Sequence, residues 1–148
     1  MTYTIREATE DDFLDVMMLV KQFSKEAPSM YFWNAGKAEE VVRGCIDGEH
    51  HGILLLEIDS VVRGMLMYVF IEIPFTGSLM LSELAWFVEK EYRGHRGSLS
   101  LLEEYEAIGD KVGVDYVQMS DIQPMSSLEK LYTRRGYEKM ETSYVRKV

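Results

Sequence analysis

The sequence predicts a single α/β (α+β) domain spanning residues 1–148, built on a mixed sheet of about seven strands. Three observations support this. Apolar residues alternate in some stretches and recur every three or four in others, in the order β–α–α–β–β–β–α–β–α–β–β. One strand leads through a glycine-bearing loop into a long helix and then another strand, the signature of a parallel crossover unit. The chain has 148 residues, 47% hydrophobic and 28% charged, enough to enclose one core without disulfides or metal.

The elements follow in order. Tyr3–Glu7 alternates as a half-buried strand does. Thr9 with Asp12 then reads as a helix N-cap, and Phe13, Val16, Met17, Val20 and Phe23 keep helical spacing until Pro28. A second helix is predicted over 35–46, closed by Asp47 and Gly48. Residues 52–58 and 62–73 read as a hairpin around Asp59 and Ser60. Thr76 and Gly77 punctuate the chain before a strand at Leu79–Val88. The long helix has Leu99, Leu102, Tyr105, Ile108 and Val112 on one stripe and Gly113 as its C-cap. A strand at 116–119, a short helix at 126–135 and a final strand pair around 137–148 complete the prediction.

Charge and composition narrow the function classes. Sixteen Lys and Arg against 25 Asp and Glu give −9, which repels phosphate backbones and anionic lipid, so neither nucleic acid nor membrane is an expected partner. Cys45 is a single cysteine, so no internal disulfide or CxxC site is expected, and a buried thiol is its natural reading. The polar N-terminus lacks the apolar stretch of a signal peptide, and a cytoplasmic protein is expected. His50 and His51 are adjacent, without metal-ligand spacing, and no metal is assigned.

The chemistry points to residues 92–98, Tyr-Arg-Gly-His-Arg-Gly-Ser, where a strand feeds a helix through two glycines and two arginines. A helix N-terminus offers unpaired N–H groups and the positive end of the macrodipole, glycines allow close approach, and arginines add charge-assisted bonds. Taken alone, this is an anion site of unspecified kind. Neither GxxxxGK[ST] nor GxGxxG is present.

This region resembles the GNAT acetyltransferases, in which the fourth strand leads into [RQ]xxGx[GA] at the start of a CoA-binding helix. Here Glu83-Leu-Ala-Trp-Phe-Val-Glu-Lys-Glu-Tyr-Arg-Gly-His-Arg-Gly-Ser98 has similar spacing, with Arg96 in place of glycine and Ser98 in place of glycine or alanine. The variant is similar to the RGxRAG form of phage-encoded and related bacterial members. Leu131-Tyr132-Thr-Arg-Arg-Gly136-Tyr137 is similar to the family's LYxxxGF segment, although Met125 and Leu128 replace the asparagine and alanine that often precede it.

The resemblance implies a mostly antiparallel sheet with helices on both faces and an acyl-CoA site between the fourth strand, third helix and fifth strand. It implies acetyl-CoA as co-substrate, bound by Phe87, Val88, Arg93, Gly94, His95, Arg96, Gly97 and Ser98. A primary amine, on a small molecule or at a protein lysine or N-terminus, would attack the thioester directly. Homodimers are frequent in similar proteins.

An amine of pKa about 10.4 must lose a proton before attack, and a carboxylate can take it. Glu83 is the candidate base, with Glu72 and Glu57 as other carboxylates, provided a bulge brings it to the face of Val88, whose N–H would meet the thioester oxygen. Tyr132 is the candidate acid for the departing thiolate, while Tyr137 is expected in the core. Tyr31, Phe32 and Trp33, with Phe75 beside Pro74, are the candidate acceptor wall. The alternative function is a non-catalytic acyl-CoA-binding regulatory or protein-interaction module on the same fold.

Overall fold

A computed structural model describes residues 2–122 and 128–148. The first strand, β1 (Tyr3–Glu7), is followed by a capping turn in which the Asp12 carboxylate accepts the Thr9 N–H at 2.8 Å. Arg6 grips the same carboxylate with two 2.8 Å bonds and also pairs with Glu57 on the neighbouring strand, tying helix entry to the sheet. Two helices follow, α1 (Phe13–Glu26) and α2 (Ala35–Asp47), the second capped by the Asn34 side chain on the Lys37 N–H.

Strands β2 (His51–Ile58) and β3 (Val61–Glu72) form the expected hairpin, with Asp59 and Ser60 both at positive φ, 50° and 69°, as a type I′ turn demands. Next come β4 (Leu79–Val88), α3 (Arg96–Val112), β5 (Tyr116–Gln118) and α4 (Glu129–Arg134). Gly113 ends α3 at φ 81°, a conformation that a side chain would strain.

The sheet order is β1-β2-β3-β4-β5, antiparallel except for the β4–β5 pair. On one face α1 and α2 bury Val16, Leu19, Phe23, Val42 and Cys45 against Ile53, Leu55, Met65, Met67 and Phe87. Burial pushes the Cys45 thiol up to about 11, as a packed, unreactive cysteine requires. On the other face α3 and α4 bury Leu101, Leu102, Tyr105 and Tyr132 against Leu54, Leu56, Leu66 and Leu81. Helices therefore cover both faces.

The strand count corrects the expectation of about seven. Among the described residues there are five, and no pair forms over 137–148. The physical reason is a diluted pattern: Met140, Tyr144 and Val148 share a parity with Thr142 and Arg146, too sparse an apolar face to bury, and all three large side chains are exposed. Met125 and the first residues of the predicted last helix, 126–127, lie outside the described residues. No helix among those described is long and apolar enough to cross a membrane, and none of their His, Cys, Asp and Glu side chains form a group of three placed to hold a metal.

Candidate active site

The site originates in a bulge. Along β3, Met65 faces Phe87 and Met67 faces Ala85, but the next residue, Tyr68, faces Glu83. Leu84 is the extra residue. Because cross-strand partners share a face, Glu83 lies on the same side of the sheet as Trp86 and Val88, which regular alternation over five residues would forbid.

Past the bulge β4 parts from β5. Their pairing ends at Ser82 and Gln118, while β4 continues for six residues. The Glu89 N–H donates to the Arg63 carbonyl at 2.9 Å, which makes that a hydrogen-bonded pair. By antiparallel alternation Trp86 and Val88 then direct their N–H and C=O groups away from β3, toward the space where β5 is missing. Tyr105, wholly buried on α3, holds the vertex of this splay: its hydroxyl lies 2.9 Å from the Leu81 carbonyl and 2.6 Å from that of Gln118.

A cleft of about 530 Å³ occupies the opening, within the range of small-molecule sites. Phe23, Phe87 and Ile122 wall it on the α1 side, and Trp86, Leu99 and Leu131 on the α3 side. Glu83 is at its base, 8% exposed, with Oε1 accepting the Ser120 N–H at 3.1 Å. Burial pushes its carboxyl up to about 7, against the opposing pull of that hydrogen bond.

The other end of the cleft is the N-terminus of α3. Among the described residues the amides of Gly94 and Arg96 have no hydrogen-bond acceptor, and a Cβ on Gly94 would meet nothing within 4 Å. The Gly97 N–H is taken by His95 Nδ1 at 2.9 Å, so the histidine caps the helix. Gly97 is closely packed: a Cβ there would lie 2.4 Å from Leu56 Cδ1, so any side chain would force the buried Leu56 to shift. Ser98 replaces the motif's small residue at no loss of fit, because its buried hydroxyl donates to the Tyr92 carbonyl at 3.0 Å and braces the loop. Arg96 turns back along α3 to Ser100 and Glu103. These donors suit an anion such as the pyrophosphate of CoA.

Neither a protein-family model nor a curated protein sequence matches the chain, but solved structures do. A ribosomal-protein-alanine N-acetyltransferase from Brucella melitensis biovar Abortus 2308 superimposes over 100% of both chains with TM-score 0.77 at 13% identity. AAC(6')-Iy in complex with the bisubstrate analogue CoA-S-monomethyl-acetylneamine does so over 100% of this chain and 99% of its own, with TM-score 0.79 at 17% identity. A GNAT family acetyltransferase of Staphylococcus aureus covers 100% of both with TM-score 0.74 at 15% identity. The fold is that of the GNAT acetyltransferases.

On this GNAT scaffold the candidate residues divide. Glu83, Phe87, Val88, Arg93, Gly94, His95, Arg96 and Ser98 all line the cleft. Tyr132 does not: it is buried, its hydroxyl donates to the Ser120 carbonyl at 2.9 Å, and burial raises its phenol above the ordinary value. It thus meets Glu83 through one residue, Ser120, whose N–H and C=O they share. Tyr137 is half-buried and packs against the core on Tyr132, ring centroids 5.5 Å apart.

The acceptor candidates are not brought together. Tyr31 packs edge-on against Phe23 at 5.6 Å, Trp33 lies under Lys21, and Phe32 is 71% exposed. Phe75 is fully exposed in the β3–β4 connection, at the opposite end of β4 from Val88, about 30 Å away along ten strand residues. None of the four lines the cleft. Sequence reasoning missed Tyr105, Trp86 and Ser120. A tyrosine within a buried helical stripe, with a hydroxyl that needs a partner, was the one signal present for Tyr105.

Proposed function

We propose that the protein transfers an acyl group, acetyl in the simplest case, from acyl-CoA to a primary amine by direct attack. The observation that carries this reading is one continuous cleft, with a buried carboxyl of raised pKa and the outward-facing Val88 amide toward one end and, at the other, a helix N-terminus with amides that meet no acceptor among the described residues. The solved GNAT structures of the same fold, one holding a CoA bisubstrate analogue, support it.

The co-substrate supplies an activated thioester carbonyl. The amides of Gly94 and Arg96 hold its pyrophosphate, joined by that of Gly97 once His95 yields. The Val88 N–H donates to the carbonyl oxygen as negative charge grows there. Glu83, poised near neutrality, accepts the proton of the attacking amine, directly or through a water; the new C–N bond forms as the C–S bond breaks. Tyr132 returns a proton to the thiolate once its hydroxyl turns from the Ser120 carbonyl.

The test is free-thiol release from acetyl-CoA with a panel of small amines, polyamines, peptides and proteins. Acceptor-dependent release that falls in Glu83→Gln supports the reading. Saturable CoA binding without release across the panel would favour a binding module instead.

A further inference from the structure

Arg93 opens the anion loop, where a guanidinium would be expected to face a phosphate, yet its donors are directed elsewhere. Nε donates to the Val88 carbonyl at 2.7 Å. Nη2 donates to both oxygens of Glu26, at 2.9 and 2.8 Å, and the group lies over the Phe87 ring, 5.2 Å from its centroid. Glu26 is the last residue of α1, and the chain passes from it through Ala27 and Pro28 to Tyr31, which packs on the cleft residue Phe23. Val88 is the last residue of β4, and its carbonyl faces the side that β5 does not reach. One planar group therefore joins the cofactor loop, the free end of β4 and the end of α1.

We propose that Arg93 is a positioning residue that clamps the last peptide of β4 to the C-terminus of α1, and that it is not a ligand of the pyrophosphate. The inference rests on the acyl-transfer reading and names the residue that ties the acyl end of that cleft to the end of α1. Fixing the Val88 carbonyl restricts the backbone torsions of Val88 and so the direction of its N–H, the group aimed at the reacting oxygen. A misplacement of about 1 Å at such a group costs about 10²-fold in rate. The rigid guanidinium fork suits the task because its donors reach two acceptors at fixed angles, which an ammonium does not reproduce.

The test compares Arg93→Gln, Arg93→Lys and Glu26→Gln with the wild type by CoA calorimetry, steady-state thiol release with the best acceptor of the panel, and amide exchange without ligand. The clamp predicts CoA dissociation constants within about twofold of wild type in all three. It predicts kcat lower by about 10- to 100-fold in both Arg93 variants, a smaller fall in Glu26→Gln, and faster exchange at Ala27 and Glu89 in Arg93→Gln. A direct phosphate contact predicts CoA binding weakened about 10- to 100-fold in Arg93→Gln and largely restored in Arg93→Lys; that result, or unchanged kcat, overturns the clamp. If the wild type neither binds CoA nor releases thiol, the acyl-transfer reading fails. Exchange at Ala27 and Glu89 still decides the clamp: acceleration supports it and unchanged rates refute it.

Discussion

Replacing Glu83 by Gln should separate two consequences of burying one carboxyl. In the wild type the folded state holds its proton up to about pH 7, whereas an unfolded glutamate releases it near 4.5. Between those values the folded protein binds more protons than the unfolded one, so stability is fully present below pH 4.5 and falls as pH rises through 7. The gap of about 2.5 pH units corresponds to about 3 kcal/mol, or roughly 6–12 °C in Tm for a domain of this size. Urea or thermal melts from pH 5 to 8 should show this decline in the wild type and its absence in Glu83→Gln, whatever the variant's absolute stability. Its acceptor-dependent turnover should fall by about 10²–10⁴, while the wild-type rate rises through an acidic limb near pH 7 that the variant lacks. Stability curves that stay parallel for the two proteins would refute the buried-carboxyl account, and an intact acidic limb in the variant would remove Glu83 as base.

Other substitutions probe the frame of the cleft. Tyr105→Phe removes the hydroxyl shared by the Leu81 and Gln118 carbonyls and should cost about 1–3 kcal/mol in urea melts, with weaker CoA binding by calorimetry as the splay relaxes. Gly97→Ala places a methyl group 2.4 Å from Leu56 Cδ1 and should destabilise by about 1–3 kcal/mol and reduce CoA affinity. Arg6 holds the Asp12 carboxyl down to about 2, so that pairing stabilises the fold above pH 3.8 and is lost as pH falls toward 2. Asp12→Asn should therefore cost up to about 2 kcal/mol at neutral pH, discounted because Arg6 is 38% exposed, and should flatten the acid limb of the stability curve. Tyr132→Phe tests the proton return: a fall in kcat at constant CoA affinity supports it, and unchanged kcat assigns the hydroxyl to holding Ser120 alone.

Much of the frame was legible because periodicity reports burial. Tyr3–Glu7 alternates as an edge strand does, Leu79–Val88 is an apolar run of strand length as a central strand covered on both faces requires, and the stripe through Leu102 and Tyr105 is the buried face of α3. The anion loop was legible through its glycines. A bulge in β4 was raised only as the condition for Glu83 to share a face with Val88, and its place at Leu84 was not legible, because one extra residue leaves no compositional mark; the pairing of Tyr68 with Glu83 reveals it. Nor was the partner of Arg93, since Glu26 lies 67 residues away and meets it only through the docking of α1 on the sheet. His95 reads as a ligand contact in sequence but caps its own helix, a local bond that competes with the anion. Phe75 was placed at the acceptor wall by loop position alone, and the length of β4 carries it to the far end of the sheet. The expected C-terminal strand pair lacks a face to bury, since Met140, Tyr144, Val145 and Val148 are all exposed.

The central claim is that acyl-CoA lies in the splay between β4 and β5 with its pyrophosphate on the N-terminus of α3. An amide NMR titration with acetyl-CoA tests it directly. Saturable shifts should be largest at Val88, Gly94, Arg96 and Gly97. The absence of saturable shifts, or shifts confined to the separate pocket between Arg6 and Lys111, would contradict it.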